Sequence, residues 1–303
     1  MEIIKGNDFH LKNSSISLGK FEGLHRGHRY LFSKIVEKNG LISTVFTFDA
    51  CGIPKIFTQD EKNQILESLG VQREIIFPFQ EETKNMTAEE FIEKILVEKM
   101  DAKYICVGED FRFGRGRSGD IRLLRKYQEK YGYEVEPVKK LTCGKDIISS
   151  TKIRDFLQDG NLEKVNLFLG EEYFVRGRVL SGEELGRKLE TPTANIVTGE
   201  DKILPRFGVY ATVVRVGDKK YFGVTNVGVK PTVGKFPAGI ETNLFHFHET
   251  IYGEEICVHF CKFLREEKRF PSLEVLKEQI ETDKKQAMQE LQKMYPEDRI
   301  EKG

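Results

Sequence analysis

The chain has 303 residues, room for two ordinary domains, and its 48 basic and 48 acidic side chains cancel. A protein that tracks a nucleic-acid backbone carries a basic excess, so no nucleic-acid partner is expected. No apolar run approaches the length of a membrane span and the amino-terminal MEIIKGNDFH lacks the apolar core of a signal peptide, so a soluble, cytoplasmic protein with no membrane partner is expected.

The first half alternates strand and helix signals. SSISLG reads as a strand and GHRYLFSKIVEKNG as a helix ending at a glycine. LISTVFTF is a buried strand, TQDEKNQILESLG a helix closed by Gly70, REIIFPF a strand, and TAEEFIEKILVEKM a helix that Thr87 caps. YICVG, DIRLLRKYQEKYG and SSTKIRDFLQDGNLEKVNLFLG add a strand, a helix and two short helices broken near Gly160. Repeated strand–helix units predict a parallel sheet covered on both faces. Near residue 171 the pattern changes. YFVRGRVL, FGVYATVVRVG, KKYFGVTNVG, TNLFHFHE and EEICVHFCKFL are short strands separated by glycine, proline and charged turns. They predict an antiparallel barrel or sandwich, followed by a charged helix from about Ser272 to Lys293. The expected domains are therefore residues 1–170 and 171–303.

Five cysteines, an odd number with no CxxC pair, suggest neither a disulfide framework nor a zinc ribbon. Cys257, His259 and Cys261 alternate along a predicted strand, where the outer two stand roughly 13 Å apart and cannot share an ion. His246 and His248 alternate on the preceding strand, opposite Phe245 and Phe247, and face solvent on that reading.

Three segments of the first half carry chemistry. In GKFEGLHRGH (19–28) a strand runs into a glycine-containing loop and a helix start. His25 and His28, three apart, can face one way beside free backbone N–H groups suited to phosphate. Gly23 and Gly27 would let the backbone approach a nucleotide closely. Two solvated histidines on a glycine-rich turn are the plainer alternative. SSTKIR (149–154) sets hydroxyls and cations at a helix start, where they either cap the helix or hold a triphosphate. VGEDFRFGRGRSGD (107–120) holds a formal GxGxxG at Gly114, Gly116 and Gly119. The dinucleotide fingerprint should follow its strand at once, and here six residues intervene. Arg115 and Arg117 point instead to a basic loop over phosphates, or to a solvated hairpin.

In the second half PTAN, residues 192–195, reads as a tight polar turn beside a loop with Arg187 and Lys188. Thr193 and Asn195 offer hard oxygen ligands for Mg²⁺, and the nearby cations would neutralise phosphates. Glu241 opens a predicted strand, where a carboxylate can take the proton of an attacking hydroxyl or simply sit at the surface. No GxxxxGK[ST] occurs, so a phosphoryl transfer here needs another cradle.

Taken together, these segments resemble the bacterial bifunctional riboflavin kinase/FAD synthetase family. GKFEGLHRGH, VGEDFRFGRGRSGD and SSTKIR resemble its adenylyltransferase module, in order. GRVLSGEELGRKLETPTANI, FGVYA, GVTNVGVKPTVG, ET and YGEEICVHFCKFLREEKRFPSLEVLKEQIETD resemble its kinase module. The resemblance implies a Rossmann-like α/β/α nucleotidylyltransferase domain, then a six-stranded antiparallel β-barrel kinase domain with a terminal helix. It implies riboflavin, FMN and ATP as substrates and Mg²⁺ with ATP. His25 and His28 would contact ATP phosphates during adenylyl transfer, with Gly19, Phe21, Gly23 and Asp110 on the nucleotide or flavin side and Ser150, Thr151 and Arg154 as a second ATP motif. Gly186, Arg187, Thr193 and Asn195 would hold Mg²⁺–ATP in the kinase, and Glu241 would be its base. The sequence departs from the family in TFDACGIPKIF (47–57), which lacks the usual histidine, and at Glu22, Glu190, Thr191 and Asn243. The first departure motivates a rival reading, a riboflavin kinase with an impaired adenylyltransferase. A flavin-sensing regulator, and a nicotinamide oxidoreductase built on Gly114, Gly116 and Gly119, are rivals from different functional classes.

Overall fold

A computed structural model describes residues 1–48, 54–78, 80–180, 193–199, 201–228 and 239–296. Contacts divide the chain into two units: Met1–Ile53 with Phe57–Ser150, and Pro54–Ile56 with Thr151–Gly303.

The first unit is an α/β layer structure. Its strands are β1 (Glu2–Lys5), β2 (Ser14–Leu18), β3 (Ile42–Phe48), β4 (Arg73–Phe77), β5 (Ala102–Gly108) and β6 (Glu134–Val138). They form one parallel sheet in the order β1-β4-β3-β2-β5-β6. The helices are α1 (Arg26–Val36), α2 (Gln59–Ser68), α3 (Glu81–Asn85), α4 (Ala88–Glu90) running into a π-helical Phe91–Lys99, and α5 (Ile121–Tyr131). Capping explains where three of them start. Thr58 and Thr87 accept the N–H groups of Glu61 and Glu90, whose carboxylates reach back to the cap. Asp120 accepts from Leu123, and Gly132 closes α5 in the left-handed conformation. A short hairpin, β7 (Thr142–Cys143) with β8 (Asp146–Ile147), precedes α6 (Ser150–Asp159). The strands β1 and β6 are short and charged, and their sequence periodicity is too weak to announce them.

The second unit holds α6 from Thr151 onward, α7 (Leu162–Leu169) and a closed barrel. Its strands are β9 (Tyr173–Leu180), β10 (Ala194–Val197), β11 (Gly208–Val216), β12 (Lys219–Gly228), β13 (Gly239–Leu244) and β14 (Glu255–Arg265). Their order is β10-β13-β12-β11-β14-β9, closed by antiparallel pairing of β9 with β10. The six-stranded barrel with a terminal helix is the architecture the resemblance implied. Inside it, the hydroxyls of Thr212, Thr225 and Thr242 bond in series at 2.8 and 2.7 Å, so three buried polar groups satisfy one another. Outside it, α8 (Leu273–Met294) lays Ala287 and Leu291 against Val209, Ala211, Val213, Phe222 and Val224. Arg265, the last residue of β14, forks onto Asp283 of α8 at 2.8 and 2.6 Å.

Two expectations are corrected by the fold. The strand predicted from TNLFHFHE stops at Leu244, and His246 takes a left-handed φ of 55° in a turn, so His246 and His248 do not alternate on a strand. PTAN is not a turn as a whole: Ala194 and Asn195 belong to β10, and pairing on both sides makes Asn195 a strand residue.

At Gly177 of β9 an added Cβ would lie 2.3 Å from the Val197 carbonyl oxygen and 2.5 Å from Ile196 Cγ2. Backbone cannot yield cheaply there. Gly177→Ala is expected to destabilise the barrel by about 1–3 kcal/mol or more, read as a lowered urea midpoint.

Candidate active sites

In the parallel sheet β3, β4 and β1 extend to one side of β2, and β5 and β6 to the other. The carboxyl ends of β2 and β5 therefore flank a topological switch point, the place where open α/β sheets bind ligands. GKFEGLHRGH follows β2 and VGEDFRFGRGRSGD straddles the end of β5, so two segments distant in sequence meet at neighbouring strand ends.

The loop after β2 is held in a strained shape. Phe21 and Leu24 adopt left-handed φ values of 44° and 40°, which cost of order 1 kcal/mol each for such side chains. Both side chains are buried, and that burial offsets the strain. The Gly19 N–H donates to Phe46 O, Thr47 Oγ1 to Lys20 O, and Arg29 Nε to Leu24 O. A Cβ on Gly19 would meet the Phe21 ring at 2.8 Å, which ties Gly19 to Phe21.

At the end of this loop His25 caps α1, its Nδ1 accepting the His28 backbone N–H at 3.3 Å. That bond places the ring proton on Nε2, leaving a donor. The two imidazoles stack with centroids 3.6 Å apart, and Phe21 meets His28 edge-on at 5.2 Å. Burial lowers the His25 pKa to about 4 and holds that of His28 well below its usual value, with the His25 and Lys62 charges adding to the latter. Both rings are therefore neutral near pH 7, hydrogen-bond donors rather than cations. His28 Nδ1 is buried with no hydrogen-bond partner among the described residues. Sequence reading missed the charge next to them: Lys62 of α2, buried and paired with the fully buried Glu74 of β4 at 2.6 Å, with Gln59 bonded to the same carboxylate.

Gly114 and Gly119 have a different task from the dinucleotide fingerprint. Phe113 and Gly119 exchange backbone hydrogen bonds, and a Cβ on Gly114 or Gly119 would strike Ala88 at 2.7 or 2.8 Å. These glycines pack the loop against α4, while Arg115 and Arg117 stand exposed on a 3₁₀ turn. Asp110 is exposed and paired with Lys140 at 2.8 Å. Ser150 starts α6 in the first unit; Thr151 and Arg154 are counted with the second.

In the barrel Asn195, Glu241 and Asn226 stand opposite one another across β10, β13 and β12. They share the outward face on which α8 packs, since Asn226 alternates with Val224 and Phe222. Asn195 is buried and Glu241 half-buried, with Thr193 just before β10. Gly186, Arg187, Glu190 and Thr191 lie outside the described residues, as do 49–53 and 229–238.

An α/β unit with neutral histidines at its switch point is joined in one chain to a barrel carrying a carboxylate between two amides. The FAD synthetase family model matches residues 8–152 and the riboflavin kinase model residues 169–291. The chain is 36% identical over 282 residues to a bifunctional riboflavin kinase/FMN adenylyltransferase of Escherichia coli, covering 88% of this chain and 90% of the relative. A Haemophilus influenzae protein of the same description is 34% identical over 287 residues, covering 90% and 92%. A solved structure from Streptococcus pneumoniae, described as a macrolide-efflux protein, matches with a TM-score of 0.85 at 29% identity, covering 95% of this chain and 99% of that one. Among the described residues no helix is long and apolar enough to cross a membrane. The chain belongs to the bifunctional riboflavin kinase/FMN adenylyltransferase family. It phosphorylates riboflavin to FMN with ATP and joins FMN to AMP, giving FAD.

The lowered histidine pKa values make a pH prediction. Each imidazole binds its proton less tightly in the folded chain than in the unfolded one. Their contribution to stability is therefore complete above pH 6.5 and is lost as pH falls toward about 4. His25→Gln should flatten that decline, seen as a smaller loss of urea midpoint between pH 6.5 and 4.

Proposed function

We propose that adenylyl transfer is carried by residues 1–170 and phosphoryl transfer by residues 171–303, with separate catalytic groups. In the first reaction an FMN phosphate oxygen attacks the α-phosphorus of ATP, the bond to the β-phosphate breaks, and pyrophosphate leaves. His25 and His28, as neutral donors at the start of α1, stabilise the charge that builds on the phosphate oxygens. The basic loop at 112–117 binds the triphosphate. The observation that carries this reading is the neutral, stacked histidine pair at a switch point, His25 buried and His28 half-buried.

In the second reaction the ribityl hydroxyl of riboflavin attacks the γ-phosphorus, its proton passes to Glu241, and ADP leaves. Support comes from the row that sets Glu241 between Asn195 and Asn226 on one face. The Asn195 amide and the Thr193 hydroxyl are hard oxygen donors, a set that fits Mg²⁺. Thr193 and Asn195 would hold the ion, and when bound it would neutralise phosphate charge. The enzyme's catalytic work would take place in the cytoplasm, where ATP is abundant.

The test is chromatography of flavin products. His28→Ala should leave FMN formation intact and cut FAD formation by about 10²-fold or more. Glu241→Gln should slow FMN formation by about 10²-fold or more while supplied FMN still becomes FAD. Loss of both reactions in either folded variant would show that the two sets of residues do not serve separate sites.

A further inference from the structure

One side chain reaches the Asn195–Glu241–Asn226 row from beyond the barrel strands. β14 ends at Arg265, whose guanidinium is locked onto Asp283 at 2.8 and 2.6 Å, with Gln279 on the same carboxylate at 2.9 Å. Arg265 also donates to the Glu266 carbonyl at 2.9 Å, which fixes the backbone just past the strand. From there Glu267 lies over the end of β12. Asn226 Nδ2 donates to Glu267 Oε1 at 3.5 Å, and a Cβ built on Gly228 would fall 1.8 Å from that same oxygen. The carboxylate occupies the place a Cβ at position 228 would fill, so a larger residue there would push this side-chain end aside. Asn226 and Gly228 lie on the outward face, and Asn226 is the cross-strand neighbour of Glu241.

We infer that Glu267 is a positioning residue of the kinase: seated on Gly228, it orients the Asn226 amide and through it the Glu241 carboxylate. The inference rests on the reading of Glu241 as the base. A carboxylate within reach of the Asn226 N–H₂ favours the amide orientation that turns its nitrogen toward Glu267. Three features with no common sequence motif, namely an arginine fork, a side-chain-free position and a glutamate past a strand end, converge on one amide.

A positioning role predicts a loss in kcat with little change in KM, because the interaction matters once the reacting atoms are aligned. Glu267→Ala should lower kcat for FMN formation about tenfold, with KM for riboflavin and for ATP within about twofold. Glu267→Gln, which keeps an acceptor oxygen, should recover most of the rate. Gly228→Ala should lower kcat although Glu267 is intact. Asn226→Ala combined with Glu267→Ala should be no slower than the slower single variant. Conversion of supplied FMN to FAD by the same preparations reports on folding and should not change. A normal kcat in Glu267→Ala, a loss confined to KM, or losses that multiply in the double variant would overturn the inference. Glu241→Gln separates the two readings. If it is inactive while Glu267→Ala is normal, only the positioning role falls. If it forms FMN normally, the base assignment falls and takes the positioning role with it.

Discussion

In a closed barrel, register is a constraint from which no strand can escape alone. β9 pairs with both β14 and β10, so a one-residue slip anywhere must be repeated around the ring or break it. Such a slip would also exchange the two faces of a strand. In β13 it would bring Glu241 into the interior beside the threonine hydroxyls and put Thr242 and Ile240 in water. Burying an unpaired carboxylate is far costlier than any local gain, so the barrel that packs its core is the same barrel that lines up Asn195, Glu241 and Asn226. The row of Asn195, Glu241 and Asn226 is thus a consequence of core patterning, with α8 covering part of the shared outer face.

The first unit relies on a different device. Its histidine loop is strained at Phe21 and Leu24, and the buried rings and methyl groups keep it so. The strain has a use. A relaxed turn would release His25 from the cap position, and its Nδ1 would no longer accept from His28. The same burial that holds the loop strips water from both imidazoles and makes them donors. Shape and protonation state here have one cause.

Much of this was legible in the residue string, for identifiable reasons. Caps are local, so Thr87 announced its helix without help. The change from strand–helix alternation to strands alone marked where the character of the chain shifts, and GKFEGLHRGH set both histidines within ten residues. What escaped was non-local or short. Lys62 and Glu74 lie twelve residues apart, and nothing in the periodicity says that each will be the other's counterion. The strand β10 was hidden inside turn-prone PTAN, since it exists only because β9 and β13 supply partners on both sides. His246 sat in an alternating pattern that the backbone abandons one residue earlier. Glu267 lies in a charged stretch, and only the three-dimensional path past Arg265 brings it to β12. Lone residues brought together by topology leave no spacing to read.

The two sheets also differ in their exposure to unwanted partners. A ring of strands has no terminal strand, so the barrel offers no row of open N–H and C=O groups on which another chain could template itself. The parallel sheet does end, at β1 and β6, and each end is blunted. β1 is only four residues long and finishes in Lys5, while β6 carries Pro137, which cannot donate to a newcomer. Self-association through strand addition is therefore discouraged in both halves, by closure in one and by short, proline-bearing margins in the other.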